Sequence, residues 1–99
     1  MGRLSTHVLD TANGVPARGM RLTLDRIENG QPLRMIDTVT NSDGRTDAPL
    51  MSGDTMREGT FVLNFHVRAY FSGVMGEESP FLDEVPVRFV IADAKAHYH

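Results

Sequence analysis

Histidine is the one side chain that ordinarily titrates near neutrality, and this sequence has four: His7, His66, His97 and His99. A single histidine in a β protein is most often a surface residue or a hydrogen-bonded structural one, so spacing decides which of them could do more. His97 and His99 stand two residues apart, so in a strand both project from one face while Tyr98 turns to the other. Such a pair is half of a zinc site. Zinc normally takes three or four ligands, however, and no other cluster in the sequence supplies the rest. Because His97-Tyr98-His99 closes the sequence, the remnant of an affinity tag accounts for it as well.

Several other chemistries lose their usual handles. No GxSxG, GxxxxGK[ST], GxGxxG or HExxH pattern occurs. Zero cysteines remove disulfides, thiolate metal sites and thiol catalysis together. The acidic pairs Glu77-Glu78 and Asp83-Glu84 flank Pro80 and read as solvated loop charge. Ten basic against thirteen acidic residues leave a formal net charge of −3, which argues against a nucleic-acid binder relying on phosphate neutralisation. Ninety-nine residues give room for one core, so a two-domain enzyme is excluded. The apolar share of 40% and the charged share of 23% are those of a folding chain rather than a disordered one. No apolar span is long enough to cross a membrane, and the first ten residues, MGRLSTHVLD, lack a signal peptide's apolar stretch, so the cytoplasm is the expected compartment.

The elements that must position these histidines are short. Apolar residues recur with a period near two between the turn clusters Asn13-Gly14, Asn29-Gly30, Ser42-Asp43-Gly44 and Ser52-Gly53-Asp54. This pattern predicts antiparallel strands over Arg3–Thr11, Met20–Glu28, Leu33–Asn41, Thr46–Met51, Thr60–Val67 and Val85–Ala92. Arg68–Met75 reads as the one short helix, with Tyr70 and Phe71 packed against a sheet end, and Ala96–His99 as the opening of a further strand. Alternation puts Leu4, Thr6 and Val8 on a core face of the first strand and Ser5, His7 and Leu9 on the other. Phe61, Leu63 and Phe65, and likewise Val85, Val87, Phe89 and Ile91, share faces and are the leading core candidates. The residues alone lead to a small antiparallel β sandwich.

The stretch LSTHVLDTANGVPARGM (Leu4–Met20) closely resembles the opening signature of the transthyretin-like family, whose enzyme members are 5-hydroxyisourate hydrolases. Three further blocks agree in order and spacing: TNSDGR (Thr40–Arg45), GTFVLNF…YF (Gly59–Phe71) and EVPVRFVIAD…HYH (Glu84–His99). The resemblance spans essentially the whole chain and implies an all-β, transthyretin-like sandwich with one short helix, a single domain over residues 1–99. It also separates enzyme from carrier. The hydrolases have a histidine in the first strand, an arginine after the Asp-Gly turn and the HYH triplet, matched here by His7, Arg45 and His97-Tyr98-His99.

What the resemblance implies for function is hydrolysis of 5-hydroxyisourate, the product of urate oxidation, by opening a cyclic amide C–N bond to give 2-oxo-4-hydroxy-4-carboxy-5-ureidoimidazoline. His7 and His99 are assigned to water activation and proton transfer, with the division between them open, and Arg45 to binding the ring and stabilising negative charge; no metal or cofactor is required. His97 is left as a supporting or surface residue and His66 as structural. The family's groove lies between two dimers of a homotetramer, so the small-molecule substrate and further copies of the chain are the expected partners, with no nucleic acid or membrane. The rival readings are a non-catalytic carrier of small ligands on the same fold and an HxH metal-binding protein. The family continues past HYH with the rest of an interior strand, another strand and a Tyr-Arg-Gly-Ser end, so a chain ending at His99 is expected to be truncated and to fold and turn over poorly.

Overall fold

A computed structural model describes residues 1–76 and 80–99; the expected loop pair Glu77-Glu78 lies outside the described residues. The single strand expected over Arg3–Thr11 is instead broken into β1 (Arg3–Leu4), an isolated bridge at His7, and β2 (Leu9–Asp10), which folds back on β3 (Val15–Pro16). The cause is Asp10. Its carboxylate is buried and accepts hydrogen bonds from the Tyr70 hydroxyl at 2.7 Å, the Asn13 N–H at 3.0 Å and the Asn13 side-chain amide at 2.8 Å. Alternation from Leu4, Thr6 and Val8 carries Asp10 inward as well, but it does not foresee the partners a buried carboxylate needs, and reaching them turns the chain out of its first strand.

Turn chemistry sets the longest strands. Asn29 and Gly30 both have positive φ, 52° and 77°, the mirror-image two-residue turn whose twist suits a hairpin. It joins β4 (Arg21–Glu28) to β5 (Gln31–Val39), so pairing begins at Glu28↔Gln31 and β5 starts two residues earlier than the apolar pattern suggests. Pro32 lacks an N–H but is accommodated because β5 is an edge strand. Of the strand expected over Thr46–Met51 only the last residue pairs, in β6 (Met51–Ser52). Upstream of it the Thr46 hydroxyl donates to the Ala48 carbonyl at 2.5 Å and Pro49 has no donor, which favours a turned path.

The remaining elements are β7 (Gly59–His66), α1 (Val67–Met75), β8 (Glu84–Ile91) and β9 (His97–Tyr98). One sheet runs β5-β4-β7-β8 and is antiparallel throughout. The facing sheet runs β6-β1-β9, and there the expectation of purely antiparallel pairing gives way, because β1 and β9 are parallel, with Arg3↔His97 and Leu4↔Tyr98. Between the sheets Leu4 and Met51 meet Leu22, Leu24, Phe61, Leu63 and Ile91, and Phe61 stacks on Phe89 with ring centroids 5.8 Å apart. Val87 shares their face but is 46% exposed, contrary to its expected core position. It lies on the edge strand β8, where the opposing sheet reaches only to β9 among the described residues.

The helix packs as expected: Tyr70 and Val67 are buried with Ala17 and Met20, and Phe71 lies edge-on to Tyr70 at 5.2 Å. Among the described residues no helix is long and apolar enough to cross a membrane.

The Asp10–Tyr70 contact ties the first hairpin to the helix and has a pH signature. Hydrogen bonds from Asn13 and then Tyr70 hold the Asp10 carboxyl below its ordinary 3.8, whereas burial and then Asp10 push the Tyr70 hydroxyl from 10.0 up to about 12. Asp10 therefore contributes stability above its ordinary value that is lost as pH falls through its lowered one. Tyr70 contributes below pH 10 and loses that contribution as pH rises towards 12. Tyr70→Phe should flatten the alkaline limb of thermal stability and weaken the protein in the neutral range, as read by unfolding midpoints across pH. An unchanged alkaline limb would show that Tyr70 does not carry it.

Candidate functional site

A turn over Asn41–Arg45 forms one wall. The Asn41 carbonyl accepts from the Gly44 N–H at 3.0 Å, closing a β-turn, and the Asn41 side-chain oxygen accepts from the N–H groups of Asp43 at 2.9 Å and Arg45 at 3.2 Å. Gly44, the residue before Arg45, has φ +77°. Its carbonyl accepts the Val8 N–H at 2.8 Å, and the Val8 carbonyl in turn accepts the Ala17 N–H at 3.0 Å. The turn is thus riveted to the broken first strand, and a Cβ at Gly44 would run into the Val8 carbonyl oxygen.

This docking places His7 directly opposite Arg45 in an antiparallel bridge. Residues opposite one another in such a pair share a face. The imidazole of His7 donates from Nε2 to the Asp43 carbonyl at 2.9 Å. A carbonyl only accepts, so neutral His7 carries its proton on Nε2 and keeps Nδ1 as its lone pair. Arg45 reaches back with Nε to the Asp43 carboxylate at 3.0 Å and stays half-exposed, its other guanidinium donors open to a ligand.

The third residue arrives from the far side of β1. The Ser5 N–H donates to the Tyr98 carbonyl at 3.0 Å, continuing the parallel register, and the Ser5 hydroxyl meets His99 Nδ1 at 2.9 Å. Ser5, two residues before His7 in the broken first segment, thus holds His99, while His7 itself is paired with Arg45. The approach depends on Gly2: a Cβ there would strike the Ala94 and Ala96 carbonyls, which carry the chain into β9.

Of the residues singled out in the sequence, His7 and Arg45 are paired directly, and His99 is held by Ser5, two residues before His7. His97 is exposed in β9, two residues before His99, and among the described residues no group of three or more His, Cys, Asp or Glu side chains converges on it. His66 is in the other sheet, with Nδ1 4.0 Å from Glu84 and its other ring nitrogen buried without a partner among the described residues. Sequence reasoning missed Ser5 and Asp43. Both were legible in part, Ser5 from its place on the His7 face and Asp43 from the Asn-Ser-Asp-Gly turn, but their hydrogen bonds join segments 36 and 94 residues apart.

Two clefts flank this face. One of about 210 Å³ runs past Ser5, Thr6 and Arg45, and one of about 260 Å³ past Ser5, Thr6 and His99. A larger cavity of about 370 Å³ lies between the first hairpin and α1, lined by Leu9, Phe65, Tyr70 and Phe71, and takes in His7 but not Ser5, Arg45 or His99. The first cleft brings Arg45 and the second the His99 imidazole, with Ser5 and Thr6 common to both; the larger cavity contains neither Arg45 nor His99.

Comparison with known proteins is consistent across methods. A family model described as "HIUase/Transthyretin family" matches residues 4–99. The 5-hydroxyisourate hydrolase of Deinococcus radiodurans is 50% identical over 97 residues, covering 97% of this chain and 82% of that protein. Among solved structures, the 5-hydroxyisourate hydrolase of Klebsiella pneumoniae superposes with a TM-score of 0.80 at 33% identity, covering all of this chain and 85% of that one. The crystal structure of (S)-allantoin synthase gives a TM-score of 0.88 at 38% identity over 99% of this chain, which spans only 38% of that longer chain.

Gly44→Val should lower the unfolding free energy by about 1–3 kcal/mol, since a β-branched residue is forced to positive φ against the Val8 carbonyl. The same change should release Arg45 from its place opposite His7, so an amide-exchange map would show lost protection at Val8 and Arg45. Wild-type stability and protection in this variant would mean that the turn does not need glycine.

Proposed function

The chain belongs to the HIUase/Transthyretin family, and from that premise we propose that it is a hydrolase that opens the cyclic amide of 5-hydroxyisourate at the face shared by His7, Arg45 and His99. The substrate assignment rests on the hydrolase relatives in bacteria. The observation that carries the site assignment is the His7–Arg45 bridge: it sets an imidazole with a defined free nitrogen beside a half-exposed guanidinium.

Water attack on an amide carbonyl needs a base near neutrality and a partner for the developing oxyanion. An imidazole takes a proton from water as the new C–O bond forms, and the carbonyl electrons move onto oxygen, where the Arg45 fork of donors meets them. As the tetrahedral centre collapses, the C–N bond breaks and the ring nitrogen leaves with the proton held by the imidazolium. The balance closes with one water added and no electron transfer, so the residues named suffice. Arg45 also draws the electron-rich ring to the face before reaction.

The proposal includes assembly. The site face is open in the single chain, and a second pair of chains laid over it would exclude bulk water from the reacting groups and strengthen their electrostatics. A dimer of dimers with this face at the interface satisfies that need, and a cytoplasmic setting suits a chain without cysteines.

His7→Ala, Arg45→Ala and His99→Ala should each slow turnover of freshly generated 5-hydroxyisourate by about a hundredfold or more, the usual scale for an acid–base or oxyanion group. His66→Ala should leave turnover nearly unchanged, and chelators should have no effect. Full activity in both His7→Ala and His99→Ala would refute the site, and loss of activity on chelation would transfer His97 and His99 to a metal-binding role.

A further inference from the structure

Resting on the reading just given, we propose that Ser5 is a positioning residue for the reaction: its hydroxyl holds His99 through Nδ1 and thereby leaves Nε2 as the nitrogen that exchanges protons. His99 is exposed, and the hydrogen bond its ring makes among the described residues is the 2.9 Å contact with Ser5 Oγ. An imidazole with free side-chain torsions samples several rotamers, and small misplacements of a reacting group are costly in rate. Ser5 itself is well placed to serve as an anchor, being half-buried and tied by its backbone to Tyr98, one residue before the histidine it holds.

The two imidazoles of the site are anchored by chemically different groups. His7 faces a backbone carbonyl, which accepts only, so its exchanging nitrogen is Nδ1. His99 faces a hydroxyl, which both donates and accepts. In the productive form the His99 Nδ1–H donates to Ser5 Oγ and Nε2 carries the lone pair. Taking a proton at Nε2 gives the imidazolium with the Nδ1–H bond intact, and passing it on restores the starting form. The anchor therefore survives both halves of a proton-transfer cycle without rearrangement. With this arrangement His7 exchanges protons at Nδ1 and His99 at Nε2, which suits two distinct duties in one reaction.

The test compares Ser5→Ala, Ser5→Thr and His99→Ala in the full-length protein. Ser5→Ala should lower kcat by about tenfold with KM within about twofold, because orientation is lost rather than binding. Ser5→Thr keeps the hydroxyl and should recover most of the rate. Independently of activity, long-range proton–nitrogen spectra should show the His99 Nδ1–H form favoured in the wild type and in Ser5→Thr and lost in Ser5→Ala. If His99→Ala is inactive while Ser5→Ala has wild-type kcat and tautomer, the role of Ser5 is wrong and the site stands. The role is equally wrong if Ser5→Thr is as impaired as Ser5→Ala. If His99→Ala is fully active, the site assignment fails and the role of Ser5 with it.

Discussion

The arrangement depends on one backbone junction, the docking of the Asn41–Arg45 turn onto the segment around Val8. Val8 gives its N–H to Gly44 and its carbonyl to Ala17, so the turn, the broken first strand and the return from the first hairpin share one residue. Thr40 reinforces the junction, since its hydroxyl donates to the Ala17 carbonyl and accepts the Met20 N–H in a buried setting. Each bond is worth only about 1 kcal/mol net, but breaking one strands a buried polar group at greater cost. The site inherits this rigidity. Arg45 cannot leave its place opposite His7 without uncoupling Gly44 from Val8, and His7 cannot rotate freely while its Nε2 is engaged by the carbonyl of the same turn.

A bent first strand gives the protein both a core and a site from few residues. Leu4 enters the main core, Asp10 anchors the hairpin to Tyr70 on α1, and between them Ser5 and His7 point outward. An unbroken strand could not bring Asp10 to the helix. Without the Asp10 contact the hairpin would lose its hydrogen bond to the helix and depend on the Thr40, Val8 and Gly44 bonds alone for its attachment. The inward carboxylate, an exception to the polar-out rule, is therefore what allows the outward face to be held still.

Much of this was legible in the sequence where local rules apply. Period-two alternation found β4, β5, β7 and β8 to within a few residues and assigned Leu4 and His7 to opposite faces, and the lack of alternation in Arg68–Met75 marked α1. The errors lie where a distant segment overrides a local pattern: Asp10 breaking the first strand for Tyr70, Pro49 and Thr46 bending the approach to β6, and Val87 left half-exposed on an edge strand despite sharing a face with Leu63. The residue types of the site could be named from the chain, but the bonds that orient them, Ser5 to His99 and His7 to Asp43, join positions whose proximity only the packed sheets create.

The central claim is that ring chemistry occurs on the His99–Ser5–His7–Arg45 face and not in the larger apolar cavity beside α1. It is tested most directly by titrating the protein with a cyclic-amide analogue of the substrate that lacks the scissile bond, while following side-chain resonances by NMR. Saturable shifts at the His7 and His99 imidazoles and the Arg45 guanidinium, with Tyr70 and Phe71 unmoved, are the predicted result. Shifts concentrated at Tyr70, Phe71 and Leu9, with the His99 imidazole and the Arg45 guanidinium silent, would contradict it.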